Sequence, residues 1–197
     1  MERASIPTDI HDAVVEFTYD HIDWSSGTGE RVEDEYREDM GIEDDSEDIE
    51  DDFFKDFTKN NGSEVDHTTE EFKNWFSEYV RGRYAEVEYE LASRIKNGKI
   101  ILYRAMAVPR GWKPNSRHLG IYWTWEEHSA EAYWQGREHI SDPVIVVLKG
   151  EVDENEVDWV ATLGMNADPA YEEEQEVRLK PNAHINLLDY TFKDEAY

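Results

Sequence analysis

Asn97-Gly98-Lys99-Ile100-Ile101-Leu102-Tyr103-Arg104 is where the chain changes texture. Asn-Gly stops a helix, because both residues accept the left-handed backbone that follows a helix C-terminus. The apolar run behind it reads as a strand. Upstream, the apolar residues follow a helical period. Ile10, Val14, Phe17 and His21 share one face behind a start at Pro7 and Asp9. Ser25-Ser26-Gly27-Thr28-Gly29 breaks that helix. Ile49, Phe53, Phe54 and Phe57 predict a second one, ended by Asn60-Asn61-Gly62-Ser63. Thr68 with Glu71 predicts a capping box ahead of Phe72, Trp75, Phe76 and Tyr79, and Val87, Leu91 and Ile95 a further helix.

Downstream of Gly98 the signals are those of strands. Ile121-Tyr122-Trp123-Thr124 and the β-branched run Val144 to Leu148 predict strands. Val157-Asp158-Trp159-Val160 and Glu176-Val177-Arg178-Leu179 alternate, and Ala183 to Leu188 predicts a last strand. Ser129 to Glu138 reads as a helix between them. Helices first and strands after predict an α+β protein, with an acidic helical region over 1–98 and a β-rich core over 99–197 that pack as one compact domain.

Composition narrows the function. The chain has 197 residues, 20 Lys and Arg against 47 Asp and Glu, and a formal charge of −27. Such a surface repels a phosphate backbone, so general nucleic-acid binding is excluded. The absence of cysteine removes thiolate metal sites and cysteine catalysis. The His residues form no recognisable ligand pattern and the acidic run lacks the glycine of a calcium loop, so no metal is expected. No apolar run approaches the ~20 residues of a membrane span, which predicts a soluble, cytoplasmic protein with no membrane partner. The segment 30–56 holds 15 acidic and 3 basic residues. It reads as a solvated helix face, a docking surface for a basic partner or a mimic of nucleic-acid charge.

Three stretches carry candidate chemistry. From Lys99 to Arg117 the charges are Lys99, Arg104, Arg110, Lys113 and Arg117, with no acid among them. That pattern suits an anion site, or cations that neutralise acidic neighbours. Gly120 at the head of Ile121-Tyr122-Trp123-Thr124 permits close backbone approach, and the aromatics beside it suit a flat ring or plain core packing. In Tyr171-Glu172-Glu173-Glu174-Gln175-Glu176 the carboxylates crowd one another. Glu174 and Glu176 are expected to share one face at the start of a strand, placed to stabilise developing positive charge unless the turn is simply solvated.

Taken in order, these stretches resemble the ADP-ribosyltransferase superfamily over about residues 99–189. Tyr103-Arg104 matches the aromatic–Arg pair of the family's first core strand. Gly120-Ile121-Tyr122-Trp123 with Ser129-Ala130 is similar to the Gly-x-Tyr-Phe strand and Ser-Ala helix of the poly-ADP-ribose polymerase branch, with Thr124 the nearest counterpart of the Ser-Thr-Ser form. Tyr171-x-x-Glu174-x-Glu176 matches the aromatic-x-x-Glu-x-Glu loop, which also admits the register Glu172-x-Glu174. An Arg on the first strand beside a Gly-x-Tyr-Phe-like strand is a departure from the family's usual pairing.

The resemblance implies a split β-sandwich that cleaves the nicotinamide–ribose bond of NAD and passes ADP-ribose to a macromolecular acceptor. A Glu at 174 implies protein arginine as that acceptor. Arg104 would hold the NAD phosphates, assisted by Arg110, Lys113 or Arg117. Tyr122 or Trp123 would stack on nicotinamide, and Tyr103, Thr124 and Tyr133 would complete the NAD site. Glu176 would stabilise the ribose cation and Glu174 orient the acceptor. The texture is also similar to small bacteriophage-encoded members. The competing expectation is an acidic, non-catalytic binding protein on the same fold.

Overall fold

The computed structural model describes residues 6–7, 9–42, 65–115, 119–132, 140, 142–171 and 174–193. The helix expected around Ile49 to Phe57 lies outside the described residues, as do Arg117, Tyr133, Glu172 and Glu173. The protein is of the α+β class. Its described elements are α1 (His11–His21), α2 (Gly27–Met40), α3 (Glu70–Arg94), β1 (Lys99–Pro109), β2 (Tyr122–Thr124), α4 (Glu127–Ala132), β3 (Pro143–Asp153), α5 (Trp159–Ala167), β4 (Glu176–Arg178) and β5 (Ile185–Lys193). They divide into two compact units, residues 22–79 and residues 1–21 with 80–197.

In the unit 22–79, the small-residue stretch after α1 is a helix start rather than only a break. Ser26 accepts a hydrogen bond from the Thr28 N–H and so caps α2, which Gly41 ends at φ 65°. Charge hid this helix from the periodicity reading, since its buried face consists of Gly29, Val32 and Tyr36. The cap of α3 is Thr69, not Thr68: the Phe72 N–H donates to Thr69 Oγ1, while the Thr68 hydroxyl donates to Asp66 at 2.6 Å. Tyr36 meets Phe72 edge-on at 5.1 Å, and Trp24 lies 5.8 Å from Phe76. Aromatic contact of this kind supplies the unit's interior.

The larger unit is built on one antiparallel sheet of order β4-β2-β1-β3-β5. β1 pairs with β3 along its whole length, from Lys99 opposite Asp153 to Pro109 opposite Pro143. β5 extends to Lys193, beyond the expected end at Leu188, and leaves its register with β3 between Lys149 and Gly150. By contrast β1 meets β2 at one register pair, Tyr103 with Thr124. β2 then pairs with β4. One face of β1 buries Ala105 and Ala107 with Ala130, Ile145 and Val147, and the other buries Ile100, Leu102 and Val108.

The alternating segment at 157–160 is not a strand. Val157 makes a single bridge to Leu179, and Asp158 then caps α5 by accepting from the Ala161 N–H at 3.2 Å. The residues of α5 are buried all round, which erases the one-sided periodicity that marks a surface helix. α1 lies against α5 at Gly164, where a Cβ would fall 2.4 Å from Phe17 Cδ1. The Thr18 hydroxyl also lies within 3.3 Å of the Gly164 carbonyl. Gly164→Ala is therefore expected to lower unfolding free energy by about 1–3 kcal/mol, the usual range for overpacking, as measured by urea titration.

Candidate functional site

A cavity of about 400 Å³ opens where β1 and β2 part company. That size falls in the ~300–1,000 Å³ range of small-molecule sites. Tyr103, Arg104, Tyr122, Trp123, Thr124, Glu174 and Glu176 all line it, so the fold gathers these seven candidate residues into one place. Tyr133, also expected in the NAD site, lies outside the described residues.

Arg104 follows the lone β1–β2 register pair. Its Nη1 donates to the carbonyl of Tyr122. The guanidinium lies flat against Gly120, whose φ is +76° and where a Cβ would stand 2.9 Å from Arg104 Cζ. Glycine is needed there twice over, for the backbone angle and for the space. Arg104 Nε is buried with no hydrogen-bond partner. Burial lowers the guanidinium's pKa from its ordinary value, and the negative charge of Glu176 opposes that shift. The two groups form no direct ion pair, but both line the cavity and each feels the other's charge.

Glu176 opens β4 opposite Thr124. Its backbone is pinned by Asn166, whose Nδ2 donates to the Glu176 carbonyl at 2.7 Å. Its side-chain Oε1 is buried without a partner. Burial, and then the charge of Glu174, push the Glu176 carboxyl up to about 7, against the pull of Arg104 and Arg178. Burial also raises Glu174.

The two acids do not come together by strand alternation, as the sequence suggested. Glu174 sits in the turn before β4, and Gln175 between them adopts φ 52°. That left-handed residue turns the backbone, so the carboxylates reach the cavity from a turn and a strand. Ser129 at the start of α4 ties the bend down, its hydroxyl donating to Gln175 Oε1 at 2.7 Å.

Tyr122 and Trp123 are not equivalent. Tyr122 is 45% exposed and shares a sheet face with its register partner Arg178, whose guanidinium lies 5.7 Å from the ring centre. Trp123 is buried, donates from Nε1 to the Gly120 carbonyl and packs on Gly150, where a Cβ would come within 3.3 Å of the indole. Tyr122 is therefore the ring available for stacking, and Trp123 belongs to the core. The basic window disperses in a similar way. Lys99 pairs with Glu151 at 2.7 Å, Arg110 pairs with Asp142 at 3.0 Å, and neither they nor Lys113 reach the cavity.

Sequence reasoning missed His21 and Met165, which also line the cavity. His21 read only as the last member of an apolar helix face, and Met165 belongs to the helix mistaken for a strand. The Asp158 cap was the one local signal for the latter. Among the described residues, no cluster of metal-ligating side chains occurs and no helix is long and apolar enough to cross a membrane. No protein-family model matches the chain, and neither does any curated protein or solved structure.

The raised carboxyl of Glu176 has a stability consequence. The folded state holds the proton up to about pH 7, whereas an ordinary carboxyl loses it near 4.5. The buried charge therefore costs stability progressively as pH rises from 4.5, and fully above about 7. Glu176→Gln is expected to raise the thermal midpoint by several degrees at pH 8 and far less at pH 5, as read by circular dichroism melts.

Proposed function

We propose that the protein is an NAD-dependent mono-ADP-ribosyltransferase with a split, ADP-ribosyltransferase-like sheet, transferring ADP-ribose to protein arginine with release of nicotinamide. One observation carries this reading. A guanidinium and a carboxylate far apart in sequence each present a buried, unpartnered polar atom, Arg104 Nε and Glu176 Oε1, and both line one cavity. Buried polar groups are nearly always satisfied, so two orphans in one cleft favour a ligand with an anionic end and a hydroxyl-bearing, cationic end. A pyridinium dinucleotide has both. The single β1–β2 register pair supports the split sheet, because it leaves the cleft between two strands rather than above a continuous surface.

In this reading Arg104 holds the pyrophosphate, and its fixed position against Gly120 spares the entropy of ordering a long side chain on binding. Tyr122 stacks on the nicotinamide, backed by Arg178. Glu176 accepts a hydrogen bond from the ribose and faces the positive charge that grows as the glycosidic bond lengthens. Because that charge is full only near the transition state, the interaction lowers the barrier more than it tightens substrate binding. Glu174 pairs with the incoming guanidinium and steers one nitrogen toward ribose C1′. It cannot deprotonate free arginine, whose pKa exceeds ~12.

The experiment is to incubate wild type and Glu176→Gln with adenylate-labelled NAD and a cell lysate. Wild type should release nicotinamide and label protein, and the variant should lose kcat by on the order of 10²–10³ with its fold intact. An acidic binding protein without catalysis would label nothing and would be indifferent to the substitution. Glu176 must be ionised to act, so kcat should fall as pH drops through about 7, the reverse of the direction in which its charge affects stability. A rate that is flat across that range would count against the assigned role.

A further inference from the structure

The cavity holds a third acid–base group that the motif resemblance does not supply. His21, the last residue of α1, lines the cavity. Its Nδ1 lies 2.9 Å from Asp168 Oδ2, at the end of α5. The Asp168 side chain is 2% exposed, and its other oxygen is occupied by the Ala170 N–H at 2.9 Å. The imidazole stacks on Phe17, with ring centres 5.5 Å apart, and meets Tyr171 edge-on at 5.1 Å. The ring is thus held by two aromatic contacts and at one nitrogen. The close approach of α1 to α5 at Gly164 sets this arrangement, bringing together residues 147 positions apart.

An ionised carboxylate can only accept hydrogen bonds, so beside Asp168 the neutral imidazole carries its proton on Nδ1 and its lone pair on Nε2. Nε2 has no hydrogen-bond partner among the described residues. A surface helix terminus needs no buried carboxylate to orient its histidine. A histidine that must receive a proton does, because the carboxylate fixes the tautomer and stabilises the imidazolium that forms. Among the described residues, the charged and titratable groups that touch the ring or share its cavity are Asp168, Tyr171, Glu174, Glu176, Arg104, Tyr103 and Tyr122, and Arg83 donates to the Ala167 carbonyl, next to Asp168 in the chain, at 2.8 Å.

We propose that the His21–Asp168 pair is the base that takes the proton from the acceptor nitrogen as it bonds to ribose C1′. This rests on the transferase reading and adds the proton's destination to it. The bond from C1′ to the nicotinamide nitrogen breaks, and its electron pair leaves on nicotinamide, which becomes neutral. A guanidinium nitrogen forms the new bond to C1′ with the electrons of its N–H bond, and that proton passes to His21 Nε2. The product guanidinium keeps its charge, and the imidazolium rests against Asp168 until solvent removes the proton. Glu174 steers the acceptor, Glu176 faces the ribose and His21 collects the proton, so each of the three groups has a separate task.

The test uses full-length protein, adenylate-labelled NAD and agmatine as the guanidinium acceptor, with folding checked by circular dichroism. His21→Ala should lose transfer by on the order of 10²-fold with the KM for NAD unchanged, the span general-base catalysis usually supplies. Added imidazole should restore part of the rate to His21→Ala and none to Glu176→Gln. Asp168→Asn keeps the packing and should show a similar loss, because its amide donates to Nδ1 and moves the proton to Nε2. Transfer by His21→Ala at the wild-type rate, or a loss that imidazole does not relieve, overturns the dyad while leaving the transferase intact. Wild type that neither releases nicotinamide nor labels agmatine or lysate protein overturns both.

Discussion

The ladder between β1 and β3 is the constraint on which the larger unit rests. It runs without interruption from Lys99 to Pro109, and both faces of β1 are covered. A strand held along its whole length on one edge can leave its other edge nearly free, and β1 does so, meeting β2 at Tyr103 alone. The cleft lies at that free edge. Arg104 emerges there from a strand that β3 holds along its whole length, so the guanidinium is placed by the ladder rather than by a loop. Gly120 supplies the matching hollow, and the Tyr122 carbonyl a fixed acceptor.

The electrostatics of the cleft are deliberately unbalanced. Two carboxylates and one guanidinium share an enclosed space, where burial penalises all three charges and the charge of Glu174 penalises Glu176 further. A fold selected for stability alone would leave Glu174 and Glu176 in solvent, as most of the other described acids are. Enclosing them stores unfavourable energy that a transient positive charge would relieve. Such trades between stability and activity are characteristic of catalytic clefts.

How much of this was legible in the sequence depended on the range of each signal. Tyr103-Arg104 was readable because a strand and the residue that ends its apolar run are neighbours in the chain. The Gly120 hollow was readable as a place where backbone must come close, though not what it would receive. α5 was misread because a helix buried all round shows no periodicity, and the Asp158 cap was then the one remaining sign of it. α2 was obscured by its charge, with only Val32 and Tyr36 as large buried side chains. The cap of α3 slipped by one residue because Thr68 and Thr69 are chemically alike, and only the geometry around Asp66 tells them apart. The meeting of His21 with Asp168 had no local signal at all, since it follows from how one helix leans on another.

Gln175 shows how an uncharged residue can govern the spacing of charged ones. Its positive φ is the bend that lets a turn and a strand aim their acids into the same enclosure. Glycine and asparagine tolerate that angle, whereas valine, isoleucine and threonine resist it. Drift at position 175 toward a branched residue would straighten the peptide, rotate one acid out toward bulk water, and leave a single anion inside. The tolerated alphabet at this one position thus limits how the family of sequences folding this way could diverge while keeping a twin-acid cleft.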